Sequence, residues 1–175
     1  MKKNVIALMV CLLSFILFTC NKEENGDKIE LPSGELWVVN SSSIDPGKKE
    51  IENIICKEDD IKSFHQGTGE IVFNNLTVEE IGKRIKSKDA SLDYYIGEKL
   101  LFNSAFISMS SSVIHNDLSL IIMDTKCYLL NGYPSLDVIG YNKDEHKKIR
   151  EANALKNQDA WSVFIKYLEE KGKLK

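Results

Sequence analysis

The chain has 175 residues, 43% hydrophobic, 28% charged and 9% aromatic, with ten glycines and three prolines. That composition excludes wholesale disorder, collagen-like repeats and low complexity, and the length suits one domain that buries a core without metals or several disulfides. The formal charge of −3 falls to about −5 when Lys2 and Lys3 leave with the first nineteen residues, so the basic surplus that a nucleic-acid binder needs is missing.

Met1-Lys2-Lys3-Asn4 precedes an apolar run from Val5 to Phe18, interrupted only by Ser14. Its roughly 14 residues would span about 21 Å as a helix, short of the ~20 residues a bilayer core requires and right for the apolar region of a signal peptide. Leu17-Phe18-Thr19-Cys20 resembles a bacterial lipobox, with Phe18 and Thr19 standing where small residues are preferred. The resemblance implies cleavage before Cys20 and a diacylglyceryl thioether on its sulfur. A diacylglyceryl group plus an N-acyl chain, at about 0.8 kcal/mol per buried methylene, anchors a protein permanently. Residues 1–19 are therefore expected to be a signal peptide, residues 20–33 a lipidated N-terminus and flexible tether, and residues 34–175 a single domain. Cys20-Asn21-Lys22-Glu23-Glu24 is similar to the sequence after the lipidated cysteine in Bacteroidetes-type surface lipoproteins. That implies an outer-membrane lipoprotein, surface-exposed or facing the periplasm.

Folded structure is expected to begin at Glu35-Leu36-Trp37-Val38-Val39, whose aromatic and β-branched residues suit a strand, with a second extended piece over Ile51–Cys56. Ile61–Phe64 and Glu70–Phe73 flank His65-Gln66-Gly67-Thr68-Gly69 as a hairpin. Gly67-Thr68-Gly69 lacks the spacing of a phosphate loop and sits between strands, so it reads as a turn. Thr77 caps a short helix over Val78–Lys86, with Glu80 completing a capping box and Ile81 and Ile85 forming the apolar stripe. Leu92–Ile96 and Lys99–Ile107 make a second hairpin turning at Gly97; Leu118–Met123 and Lys126–Leu130 make a third, turning at Asp124-Thr125. A helical turn is expected over Ser135–Ile139, then a long helix from about Lys143 to Lys171. Trp161, Phe164, Ile165 and Leu168 supply that helix's stripe, Asn157-Gln158-Asp159 marks a kink or fresh start, and Gly172 ends it. Hairpins followed by helices predict an α+β fold: an antiparallel sheet of about six to eight strands with a long C-terminal helix packed on it.

Few residues suit chemistry. His65, His115 and His146 form no pair at i, i+2 or i, i+4, so a helical zinc site is absent. His115 with Asp117 and one distant ligand is the remaining metal alternative; exposed loop histidine is the better reading for all three, and no metal, cofactor or catalytic residue is assigned. Ser112, His115 and Asp117 can be drawn as a triad, but residues so close in one loop rarely reach its geometry, and no G-x-S-x-G elbow exists. Glu58-Asp59-Asp60 lacks calcium-loop spacing and reads as a solvated turn. Cys56 and Cys127, the cysteines remaining after processing, either form a disulfide or stay as buried thiols. Tyr94 and Tyr95, being adjacent, must point to opposite faces of a strand, and one of them together with Trp37 is a candidate binding platform for a sugar or protein.

Asp60–Phe64, Thr68–Phe73, Leu130–Pro134 and Trp161–Leu168 together resemble a small family of Bacteroidetes-type lipoproteins of unknown function. The resemblance implies residence in the cell envelope and carries no catalytic residues. The expected function is a lipid-anchored, non-enzymatic binding or accessory module. It would meet the membrane through the lipid on Cys20, and an unknown protein or glycan partner through its folded part. The alternatives are a small envelope hydrolase whose site is assembled from distant residues, and an inhibitor of an exported enzyme.

Overall fold

The computed structural model describes residues 31–41, 54–85, 87–108 and 113–175. The expected signal peptide, Cys20 and most of the tether lie outside the described residues. Among the described residues there are eight strands: β1 (Leu36–Asn40), β2 (Ile54–Lys57), β3 (Ile61–His65), β4 (Glu70–Phe73), β5 (Ser91–Ile96), β6 (Lys99–Ser108), β7 (His115–Met123) and β8 (Lys126–Tyr133). The helices are α1 (Val78–Arg84), α2 (Lys143–Lys156) and α3 (Gln158–Glu170). The fold is α+β. All eight strands form one sheet in the order β2-β1-β5-β6-β7-β8-β4-β3.

That order forces the sheet to curl. Its two edge strands, β2 and β3, are consecutive in the chain and joined only by the 3-10 turn Glu58–Asp60. Seven inter-strand spacings laid flat would separate the edges by about 34 Å, whereas three residues reach about 10 Å. The sheet therefore bends into a half-barrel, and its concave side becomes the core.

Sequence explains most of the elements. β5 alternates strictly, with Leu92, Tyr94 and Ile96 buried and Ser91, Asp93 and Tyr95 facing outward. Gly97, at φ +57°, opens the β5–β6 turn, where a Cβ would collide with the Ser33 carbonyl. Thr77 accepts from the Glu80 backbone N–H while the Glu80 carboxylate accepts from the Thr77 N–H, the capping box that starts α1. α1 then buries Ile81, and the extended residue that ends it, Ile85, joins the same core as α3.

Two expectations are corrected. The sheet is mixed, because β6 and β7 run parallel, with Phe106 beside Leu120 and Ile107 beside Ile121. The C-terminal helix is also two helices, meeting at Asn157 (φ −95°, ψ 0°). The break lets α3 turn into the half-barrel while the more polar α2 stays against β7 and β8. Ser135–Ile139 holds a hydrogen-bonded turn, closed by the Val138 N–H on the Ser135 carbonyl (3.0 Å), with no helix.

α3 buries Phe164, Tyr167 and Leu168 in the concave face. The Phe164 ring lies 5.4–5.6 Å from those of Phe64, Phe102 and Trp161, and 6.3 Å from that of Tyr94. A Schellman arrangement ends α3, with the Gly172 N–H on the Glu169 carbonyl (2.9 Å) and the Lys173 N–H on the Leu168 carbonyl (2.8 Å). The chain then pairs Leu174 in parallel with Phe64, covering the otherwise open edge of β3.

A polar latch fastens this end of the chain to the β2–β3 corner. Glu58, 9% exposed, meets the Tyr167 hydroxyl and the Lys171 ammonium (3.1 Å), while Lys173 Nζ donates to the Glu58 and Ile61 carbonyls (3.0 and 2.6 Å). Burial alone would raise the Glu58 pKa. The Tyr167 and Lys171 hydrogen bonds and the charges of Lys171 and Lys173 outweigh it and hold the carboxyl below its ordinary value. A pKa lowered by folding means the latch stabilises fully above the unfolded value, about 4.3, and loses that contribution as pH falls through the folded value. Glu58→Gln is expected to cost about 1 kcal/mol at pH 7, and the gap in urea stability between it and the parent protein should begin to narrow once pH falls below about 4.3. An equal gap at pH 7 and pH 3 would contradict this role for the charge.

Candidate functional site

Three separate segments converge on a pocket of about 360 Å³ beside the half-barrel: the β3–β4 turn, the β7–β8 pair and the break between α2 and α3. The turn is held from two sides. Gly69 donates to the His65 carbonyl (2.7 Å) and accepts from the Leu129 N–H (2.8 Å), which presses the hairpin tip onto β8. On the other side the Gln66 N–H donates to the Lys175 carbonyl (3.1 Å). The helix break supplies the third wall, with the Trp161 N–H on the Asn157 carbonyl (2.8 Å) as the first bond of α3.

The floor is apolar, made by Phe64, Leu118, Leu129 and the half-buried Trp161. The rim is polar, carrying Gln66, Thr68, Asn131, Asn157, Gln158 and Ser162. None of the fourteen lining residues is ionisable. An apolar floor with a few polar groups around it, at this volume, is the construction of a small-ligand site.

A second cavity, about 1000 Å³ and wide open, lies between α1, β4 and the ends of β6 and β7. It exists because β4 pairs with β8 over only Glu70–Tyr128 and Ile71–Cys127 and then splays away. Its wall includes Ser108, the last residue of β6.

The expected aromatic platform is divided. Tyr94 is a core residue, 1% exposed and stacked on Phe102 at 4.7 Å between centroids, so it is withdrawn as a binding residue. Trp37 and Tyr95 do come together. They are register partners on β1 and β5, in a row across the outward face that runs Lys57, Trp37, Tyr95, Leu100. Lys57 Nζ stands 4.5 Å from the Trp37 ring centroid. Burial, then the Asp93 carboxylate, pushes the Tyr95 hydroxyl pKa up.

The reactive residues do not converge. The His65 ring meets the Ser63 hydroxyl (3.3 Å), the His146 ring meets the Asn116 amide, and the His115 carbonyl accepts from Arg150. Ser112 lies outside the described residues. No histidine borders either cavity, and among the described residues no three His, Cys, Asp or Glu side chains are grouped as metal ligands. Cys56 and Cys127 are both buried free thiols, so the disulfide alternative is not realised here. Burial pushes both pKa values up, that of Cys127 to about 12, and holds the sulfurs as neutral, apolar groups.

Sequence reasoning found the pieces of the pocket without the pocket. Gln66–Gly69 was legible as a turn, Trp161 as part of an apolar stripe and Asn157-Gln158 as a break. Their meeting depends on sheet curl and on the order of β8 beside β4, which no local pattern encodes. No protein-family model, curated protein or solved structure matches the chain.

Proposed function

We propose that this protein is a lipid-anchored binding module of the bacterial outer membrane, of the Bacteroidetes-type lipoprotein kind, that holds a small ligand without transforming it. The sequence supports the anchor through Lys2 and Lys3, the short apolar run, Cys20 and the polar stretch after it. The observation that carries the binding reading is the pocket between the β3–β4 turn, β8 and the helix break: binding-site volume, apolar floor, amide and hydroxyl rim. General acid–base catalysis needs a proton carrier within reach of the substrate, and this lining supplies no ionisable side chain for that task. The outward Trp37–Tyr95 row, which lies outside the pocket, is a surface for a protein partner in the same reading.

Ala154 is exposed and borders the pocket, so Ala154→Trp fills the site from a helix surface that tolerates a large side chain. Immobilised full-length protein is expected to retain a component of a host envelope digest that the Ala154→Trp protein loses at least tenfold, with Tm unchanged. The component should elute chemically intact. Equal retention by both proteins would place binding elsewhere, and elution of cleaved products would favour the hydrolase alternative.

A further inference from the structure

The chemistry of the pocket lining narrows what it holds. We infer that its ligand is a neutral saccharide of one or two rings, a step that rests on the binding reading above. A charged ligand would enter a site where none of the fourteen lining residues can offset its charge, and burying an unpaired ion is costly. Arg150 on α2, whose backbone carbonyl meets the rim residue Asn131, has its guanidinium committed to three protein oxygens: the Asn116 Oδ1 and the His115 and Pro134 carbonyls.

A purely apolar ligand fits the floor but not the rim. Among the described residues the Gln66, Asn157 and Gln158 side chains have no hydrogen-bond partner, and Asn131 uses only its amide nitrogen, on the Arg150 carbonyl (3.2 Å). Each free amide offers two donors and an acceptor, and covering it without replacing its water contacts loses free energy. A hydroxyl both donates and accepts, so it satisfies either end of an amide. A pyranose supplies several hydroxyls around one C–H face, and that face suits Trp161, Phe64, Leu118 and Leu129. The volume, about 360 Å³, is near the lower end of the range for small-molecule sites.

A peptide in extended form has no edge to join here. At the pocket end, Glu70 and Ile71 of β4 are paired on both sides, by β3 and β8, and the outer edge of β3 is taken by Leu174. Strand addition, the commonest way a sheet protein captures peptide backbone, is closed off at this position.

The chain has two tryptophans, so Trp37→Phe leaves Trp161 as the only indole reporter. Full-length Trp37→Phe protein is titrated with glucose, galactose, mannose, xylose and N-acetylglucosamine, with their neutral disaccharides, and with galacturonate. At least one neutral sugar is expected to change Trp161 emission saturably. Gln158→Ala and Asn157→Ala should each weaken it at least threefold, and together at least tenfold, without moving Tm. Galacturonate should bind at least tenfold more weakly than galactose. Binding of galacturonate as tight as that of galactose would overturn the inference, as would silence of every neutral sugar. If the sugars are silent while Ala154→Trp still abolishes capture from the envelope digest, the ligand class is wrong and the pocket stands. If both fail, the binding reading itself falls.

Discussion

Phe164→Ala is expected to lower stability by about 4 kcal/mol, in the middle of the range for a buried aromatic. Phe164 is 2% exposed, and its ring contacts those of four other aromatics drawn from β3, β5, β6 and α3 itself. Three of those elements are held at different points around the curled sheet, so this ring joins its two halves through α3. The loss includes the transfer free energy of the ring and a cavity that walls made of rigid rings cannot collapse into. Phe164→Leu keeps most of the volume and should cost about 1.5 kcal/mol. Urea titration at neutral pH measures both. A cost below about 1.5 kcal/mol for the alanine variant would mean that α3 is not seated in the half-barrel as described.

Arg150→Ala is expected to cost about 3 kcal/mol, an unusual amount for an arginine on a helix that is otherwise polar. The side chain is 6% exposed and forks between Asn116 Oδ1 (3.2 Å), the His115 carbonyl (3.2 Å) and the Pro134 carbonyl (2.8 Å). It thereby ties the start of β7 to the end of β8 from outside the ladder. Burial lowers its pKa, but a guanidinium starts high enough to remain charged. Alanine would take the guanidinium donors from the His115 and Pro134 carbonyls and from Asn116 Oδ1, which keeps only the His146 ring nitrogen at 3.2 Å. Gly132 makes room for the guanidinium: a Cβ there would sit 2.3 Å from Arg150 Nε, and its φ of +92° suits glycine alone. Gly132→Ala should therefore be destabilising on its own, and the double variant should cost at least 1 kcal/mol less than the two single costs added together, because the clash disappears with the guanidinium. Simple additivity would contradict the contact.

These two residues show what local sequence carries and what it omits. Phe164 belongs to a stripe at i, i+3, i+4, i+7 with Trp161, Ile165 and Leu168, and that spacing alone marks it as core. The capping box at Thr77 and Glu80, the turn at Gly97 and the stop at Gly172 were legible for the same reason, since each is settled within a few residues. Arg150 was not, because an arginine among lysines and glutamates has the pattern of a solvated face. Its burial follows from the approach of β7 and β8, whose contacts with α2 are long-range. The parallel pairing of β6 and β7 was missed likewise: the residues between them, 109–114, carry no helical period to announce a crossover. At the pocket, turn, stripe and helix break were each visible. Which of them meet is decided by a sheet whose two edges are tied by three residues.

The adjacent tyrosines make the same point on a smaller scale. A period of two required one to face in and one out, and β5 settles it in favour of Tyr94 in and Tyr95 out. Tyr94 Oη accepts from the Ser104 hydroxyl (3.3 Å) inside the half-barrel, a polar partner supplied by β6.

The proposed role depends first on where the molecule is held, and the intact mass of the protein purified from its native host tests that most directly. The expected mass is that of a chain beginning at Cys20, heavier than residues 20–175 by a diacylglyceryl group and an N-acyl chain, and a Cys20→Ala protein should keep its first nineteen residues and gain no lipid. A native protein that begins at Met1 with an unmodified thiol at position 20 would contradict it.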